Sequence, residues 1–171
     1  MNNIVKKVFL FSLFFSFSML FADDDYTVEL YAMSGSGRLV SSEEVMKKSD
    51  AKYLVVDFFS LMCEPCKRSL PKWEEFLKEN KSKGIEFILV SLPAEGNLKK
   101  NEKDLKNYFK QNKFSFETVF DKYSVVGKKF GVVEKSGDVI LPMIFVIDKS
   151  GKLIFKTDSF DDAMAKIKAL E

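Results

Sequence analysis

Two cysteines separated by two residues are the feature of this 171-residue sequence with the most obvious chemical capability. They form the segment Cys63-Glu64-Pro65-Cys66 and are the only thiols in the chain, which also contains no histidine. The missing histidine excludes Ser-His-Asp and Cys-His catalysis, His-ligated haem and His-containing zinc sites. A Cys-x-x-Cys pair between a strand and a helix is typical of thiol–disulfide exchange. The spacing therefore predicts a redox-active pair, and we expect no metal or cofactor.

The two cysteines are predicted to have different roles. If a helix begins near Cys63, its unpaired N–H groups and its dipole lower the pKa of that thiol and make it the nucleophile. Cys66 then lies one turn further along and is more buried, so that it attacks a mixed disulfide on Cys63 and releases the partner. The alternatives are a structural disulfide, which stabilises little in so short a loop, a zinc half-site, and two inert thiols.

Asp57 and Pro142 are two further candidates. Asp57 lies in an apolar run six residues before Cys63, where burial raises the pKa of a carboxyl group and allows it to accept the proton of the Cys66 thiol. A strand-end aspartate that faces solvent is the alternative. A cis bond before Pro142 would place the backbone of Leu141 beside the disulfide, free to pair with an extended substrate strand. A trans proline that starts a strand is the alternative.

Alternating strands and helices are predicted to position these residues. Apolar runs and period-2 patterns predict extended segments over residues 26–33, 51–59, 85–92, 116–120, 143–147 and 152–156. Helical periodicity and capping residues predict helices over residues 41–48, 63–80, 97–112, 124–130 and 161–170. The order indicates an α/β fold with a mixed central sheet, flanking helices, and a C-terminal β-hairpin followed by a helix.

The first 22 residues have the layout of a secretory signal peptide. Lys6 and Lys7 precede an apolar run over residues 8–21, and Ala22 stands before three aspartates. The run is shorter than the ~20 residues of a membrane-spanning helix, so we expect cleavage after Ala22 and export to the periplasm or another extracytoplasmic compartment. An uncleaved N-terminal membrane anchor is the alternative. We expect residues 23–171 to form one domain in a compartment that permits disulfides.

Removal of residues 1–22 also changes the charge of the chain. It takes away two lysines and no acid, which leaves 25 basic and 25 acidic side chains. A neutral chain lacks the concentrated positive charge that nucleic-acid binding needs, so we expect no nucleic-acid partner. We expect the mature protein to be a monomer.

The segment from Leu54 to Pro71 resembles the active-site strand and helix of thioredoxins, and more closely those of the exported TlpA/ResA-like thiol–disulfide oxidoreductases. Pro142 matches the cis-proline of that family, and residues 143–152 match its terminal hairpin. The resemblance implies a thioredoxin-like fold over essentially all of residues 23–171. It also implies protein disulfides as substrates, apocytochrome c in cytochrome c maturation among them, and a membrane electron donor of the thiol-relay type.

Several neighbours of the cysteines depart from the family pattern. Met62 and Phe59 stand where the family commonly has tryptophans, and Met62 keeps an apolar, adaptable surface beside the cysteines. Ser69 replaces a family glutamate, whose role therefore does not carry over, whereas Asp57 agrees with thioredoxins. Residues 132–141 are longer than the usual link into the cis-proline. This stretch is predicted to be a partner-recognition loop, with a neutral surface insertion as the alternative.

Glu64, which lies between the two cysteines, favours a reductase over an oxidase. Glu64 places negative charge beside the Cys63 thiolate, which raises the pKa of that thiol and makes the couple more reducing. The alternatives are a disulfide-introducing oxidase or isomerase, a peroxidase, and a non-enzymatic binding module such as a copper chaperone of related fold. A peroxidase would need a lone reactive cysteine after a threonine, and the chaperone a wider cysteine spacing with histidine.

Overall fold

The computed structural model of the protein describes residues 26–33, 38–80, 84–94 and 96–170. The expected signal peptide lies outside these residues. The strands are β1 (Glu29–Tyr31), β2 (Leu39–Ser41), β3 (Tyr53–Phe59), β4 (Ile85–Ser91), β5 (Glu117–Phe120), β6 (Met143–Asp148) and β7 (Leu153–Thr157). The helices are α1 (Ser42–Ser49), α2 (Glu64–Glu79), α3 (Leu98–Asn112), α4 (Val125–Lys129) and α5 (Phe160–Lys168).

A five-stranded mixed sheet of order β5-β4-β3-β6-β7 forms the centre of the domain. β3, β4 and β5 are parallel to one another, whereas β6 runs antiparallel to β3 and pairs with β7 in the C-terminal hairpin. β1 and β2 form a separate antiparallel pair, joined to the sheet by a bridge between Ala32 and Val119. The predicted α/β fold with a mixed sheet and a C-terminal hairpin is confirmed.

Apolar side chains cover both faces of the central strand. Successive side chains of a strand point to opposite faces, so Val56 and Phe58 pack in one buried cluster while Val55 and Phe59 pack in the other. The second cluster also holds Cys66 and the apolar face of α2. By the same alternation Asp57 points to the α2 face, which is the face on which the cysteines lie.

The helix starts agree closely with the sequence. Ser41 accepts a hydrogen bond from the Glu44 N–H, as the predicted capping box requires. The last helix begins at Phe160, one residue before its predicted start, and Ser159 is its N-cap. β2 was not predicted because three residues are too few to show a hydrophobic period.

No helix within the described ranges combines the length and the apolar composition needed to cross a bilayer.

Candidate active site

Cys63 and Cys66 form a disulfide at the N-terminus of α2. Cys63 is the N-cap residue, and its Sγ accepts a 3.2 Å hydrogen bond from the Cys66 N–H. The Cys63 N–H in turn donates to the Ser60 carbonyl at 2.9 Å, which holds the turn between β3 and α2. The Cys63 sulfur therefore lies at the positive end of the helix dipole, where a thiolate is stabilised once the disulfide is reduced.

The two sulfurs differ in access. Cys66 is 1% exposed and packs among apolar side chains, whereas Cys63 is half-buried. The Cys66 Sγ lies 3.9 Å from the carbonyl oxygen of Phe58 on β3, so this sulfur is held against the strand that carries Asp57. A sulfur atom of another molecule can therefore approach Cys63 from solvent, whereas Cys66 is covered by its apolar neighbours.

Beside Cys63 opens a groove of about 480 Å³. The Leu141–Pro142 peptide bond is cis, and the pairing of Phe58 with Met143 brings this bond to the end of β3. Leu141, which precedes this bond, lines the same groove as Cys63. The described residues that line the groove are Ser60, Met62, Cys63, Pro93, Ala94, Val139 and Leu141.

Asp57 is a buried carboxyl group on the α2 side of β3. It is 1% exposed, so the solvent-facing alternative is wrong. Its Oδ2 accepts a 2.8 Å hydrogen bond from the Nε1–H of Trp73 on α2, and its Oδ1 has no hydrogen-bond partner among the described residues. Burial raises the pKa of Asp57 to about 8, and the bond from Trp73 offsets part of that effect.

The other predicted neighbours of the cysteines occupy distinct positions. Phe59 is fully buried and stacks on Tyr108 of α3, with ring centroids 6.2 Å apart, so it supports the site from below the surface. Met62 is 77% exposed at the rim of the groove. Pro65 lies in the first turn of α2, where its missing N–H leaves no helical bond unmade.

Glu64 forms an ion pair with Lys67, one turn further along α2. This pairing was not predicted from the sequence, where Glu64 was considered only as a negative charge beside Cys63. The lysine charge offsets part of the influence of the carboxylate on a thiolate at Cys63, which weakens the sequence-based argument for a reducing couple. The i,i+3 spacing of opposite charges was the signal for this pair.

Trp73 is a second partner that was not predicted from the sequence, because helical spacing places it only on the apolar face of α2. A buried indole N–H requires an acceptor, and that requirement was the available signal. Trp73 is fully buried and packs against Phe87 and Phe160, with ring centroids 4.9 Å away in each case. This packing fixes the indole that donates to Asp57.

The fluorescence of Trp73 is expected to report the ionisation of Asp57, because Trp73 is the sole tryptophan in the sequence. We expect the emission of the oxidised protein to change with an apparent pKa of about 8. The cysteines do not titrate in the disulfide form, and Asp57→Asn is the control that should lose the transition. A transition at the ordinary aspartate value of about 4 would contradict the effect of burial.

Comparison with known sequences identifies thiol–disulfide oxidoreductases among the relatives of this chain. A profile of the AhpC/TSA family matches residues 24–156. The thiol–disulfide oxidoreductase ResA of Bacillus thuringiensis subsp. konkukian is 32% identical over 111 residues, which are 64% of this chain and 56% of that protein. The sporulation thiol–disulfide oxidoreductase A of Bacillus subtilis is 21% identical over 116 residues, 68% of this chain and 65% of that protein. The matched region thus spans between half and two thirds of these relatives.

Solved structures share the fold. The crystal structure of StoA from Bacillus subtilis superimposes with a TM-score of 0.64 at 17% identity, over 83% of this chain and 96% of that chain. The solution structure of a thiol:disulfide interchange protein from Bacteroides sp. superimposes with a TM-score of 0.64 at 22% identity, over 84% of each chain. The thioredoxin-like fold is confirmed. Because the family profile covers most of the sequence, the chain belongs to the AhpC/TSA family, with ResA and sporulation thiol–disulfide oxidoreductase A among its homologues.

Proposed function

We propose that this protein is an exported thiol–disulfide oxidoreductase that reduces the disulfides of other proteins. The observation that carries the proposal is the disulfide at the start of α2, in which the half-buried Cys63 lines a groove and Cys66 is covered. The similarity to ResA and to the sporulation protein, both thiol–disulfide oxidoreductases, supports the same reaction class. The charged and apolar pattern of residues 1–22 supports export.

In the reducing direction the Cys63 thiolate attacks one sulfur of a substrate disulfide. That S–S bond breaks, a mixed disulfide with Cys63 forms, and the other substrate sulfur leaves as a thiolate that takes a proton from water. Cys66 then loses its proton, and its thiolate attacks the Cys63 Sγ. The mixed disulfide breaks, and the second substrate sulfur leaves as a thiolate that also takes a proton from water. The substrate gains two electrons and two protons, and the protein becomes the disulfide form.

Asp57 is the proton acceptor that we assign to Cys66. It points to the α2 face of β3, and its neighbour Phe58 holds the Cys66 sulfur at 3.9 Å. A pKa of about 8 places Asp57 close to the working pH, so that its ionised form can take a proton and its neutral form can return one. Asp57 would return the proton to Cys66 when the disulfide is reduced again.

Turnover requires a dithiol that returns two electrons to the disulfide. We assign this role to a membrane protein of the thiol-relay type, and we assign apocytochrome c in cytochrome c maturation as a substrate class. The reducing direction is supported by the burial of Cys66 among apolar side chains, which disfavours a thiolate at that position. The carboxylate of Glu64 beside Cys63 acts in the same direction, and its ion pair with Lys67 offsets part of this effect. A less stable dithiolate makes the couple more reducing.

The proposal is tested by measuring two properties of the protein. In an insulin-reduction assay with dithiothreitol as the donor, we expect the protein to accelerate reduction well above the rate of dithiothreitol alone. Equilibration against redox buffers then gives the direction, and we expect a potential nearer to the −270 mV of thioredoxin than to the −120 mV of DsbA, both approximate values. Absence of turnover by the folded protein excludes the enzyme, and a potential near that of DsbA favours the oxidase.

A further inference from the structure

The groove beside Cys63 is bordered by exposed apolar side chains. Met62 is 77% exposed and Val139 is 47% exposed, and both line the groove together with Leu141. Apolar side chains that border a concave surface lose contact with water when a partner binds, which favours association. The position of these side chains around the reactive sulfur indicates that they contact whatever reacts with Cys63.

Val139 is presented by a small hairpin over residues 132–140. Its arms are joined by a bridge between Val133 and Val139 and by a 2.9 Å hydrogen bond from the Ile140 N–H to the Val132 carbonyl. Val132 and Val133 are buried, which anchors the hairpin to the core. The turn between the arms includes Gly137 at a φ of 96°, a conformation that glycine adopts readily. Val139 is therefore held at a defined position beside Cys63.

The lining of the groove is uncharged among the residues that the structure describes. The charged side chains of the hairpin, Glu134, Lys135 and Asp138, are exposed and belong to its turn rather than to the described lining. Such a lining offers no charge to pair with the carboxylates of a small charged thiol such as glutathione. It does offer contact area to an uncharged side chain of an extended protein segment.

We propose that this groove selects protein segments with an apolar side chain next to the disulfide-bonded cysteine, and that Val139 is the residue that determines this selection. The inference rests on the proposed function. When the substrate sulfur contacts the Cys63 Sγ, the neighbouring side chain of the substrate enters the groove and packs against Val139 and Met62. Substrates that differ only at this neighbour should therefore differ in rate, because the contact forms before the first exchange step.

The experiment uses disulfide-linked dimers of short peptides, reduced by the dithiol form of the full chain. Two peptide series place Leu, Gln or Glu immediately before or immediately after the cysteine, and second-order rate constants are measured by chromatography. We expect the Leu peptide of at least one series to react roughly tenfold faster than the Gln peptide. Val139→Ser should reduce this preference to less than about threefold.

Ile140→Ser is the matched control, since Ile140 is an exposed residue of the same hairpin that is not among the described lining residues. It should keep the Leu preference. Hydroxyethyl disulfide, which has no peptide neighbour, should react with Ile140→Ser and with the wild-type protein at the same rate. Each peptide rate of Val139→Ser is expressed relative to the rate of that variant with hydroxyethyl disulfide, so that a change in the redox site itself does not count as a change in preference. Oxidised glutathione is included as the small charged substrate.

Equal rates for Leu and Gln peptides in both series, with hydroxyethyl disulfide reduced normally, would overturn the selectivity and leave the proposed function standing. Equal loss of preference in Val139→Ser and Ile140→Ser would remove Val139 as the determinant. Faster reduction of oxidised glutathione than of any peptide would assign the groove to a small thiol. Failure of the unchanged protein to reduce any of these disulfides would instead contradict the proposed function itself.

Discussion

Replacing Cys63 by serine is expected to lower the protein-catalysed part of insulin reduction by on the order of 10³-fold or more, so that only the rate of dithiothreitol alone remains. The half-buried sulfur at the start of α2 is the one that a substrate can reach, and serine supplies no thiolate at neutral pH. Cys66 cannot substitute for it, because Cys66 is 1% exposed. The measurement is the turbidity of reduced insulin with dithiothreitol as the donor, and the wild-type protein is the reference.

The matched variant is Cys66→Ser, which should lose turnover but keep the first step. Without the second sulfur the mixed disulfide on Cys63 is not resolved, so covalent adducts with substrate should accumulate. Non-reducing gel electrophoresis and mass spectrometry should detect these adducts in Cys66→Ser and none in Cys63→Ser. Adducts in Cys63→Ser alone would reverse the two roles. In cells the trapped adducts would also identify the protein substrates.

Replacing Asp57 by asparagine is expected to stabilise the oxidised protein at pH 7 by about 4 kcal/mol. The pKa of Asp57 is about 8 in the folded state, against 3.8 as the ordinary value. Between these values the folded state holds a proton that the unfolded state releases. The free energy of unfolding therefore falls as pH rises from about 4 to about 8, and becomes independent of this group above that range. Asparagine does not titrate, so the Asp57→Asn protein keeps the free energy of unfolding that the wild type loses as pH rises.

Urea denaturation of the disulfide form at pH 4 and at pH 8 tests this prediction. At pH 4 the two proteins should have similar free energies of unfolding, because asparagine can still accept the Trp73 hydrogen bond through its amide oxygen. As pH rises, the free energy of unfolding of the wild type should fall below that of Asp57→Asn. Asp158→Asn, which changes an exposed aspartate, is the matched control and should alter stability by no more than about 0.5 kcal/mol. A difference between wild type and Asp57→Asn that does not grow with pH would contradict the raised pKa of Asp57.

The same substitution should slow the second exchange step. If Asp57 accepts the proton of Cys66, its removal should lengthen the lifetime of the mixed disulfide by roughly 10²-fold at pH 7. The effect should shrink at higher pH, where hydroxide and buffer deprotonate Cys66 without help. Quenching the reaction with acid at intervals gives this lifetime. A gain in stability without a slower second step would leave Asp57 a structural group only.

The elements of the fold were predictable because their signals are local. The apolar run from Tyr53 to Phe59 predicts a strand covered on both faces, and the structure places β3 in the centre of the sheet. The start of α2 directly after its N-cap Cys63 follows from the cysteine motif and the helical period after it. These patterns depend on neighbouring residues alone, so one sequence was enough.

Long-range partners were not predictable in the same way. Trp73 and Asp57 are 16 positions apart, and nothing in either local pattern states that the indole donates to that carboxyl group. Residues 132–141 were predicted from the sequence to be a partner-recognition loop, but the local pattern did not predict the hairpin over residues 132–140 or which of its side chains borders the groove. Its place beside Cys63 depends on the register of β6 against β3, in which Met143 pairs with Phe58.

The sequence by itself determined the kind of chemistry: with no histidine and two cysteines in Cys63-Glu64-Pro65-Cys66, reactivity depends on sulfur. It also determined the strand–helix junction that holds the pair, since hydrophobic period and helix start are local properties. Only the tertiary structure decided which sulfur is covered, what Asp57 binds, and that Val139 borders the groove at Cys63. Burial and desolvation depend on side chains brought together from distant positions, and packing alone establishes those contacts.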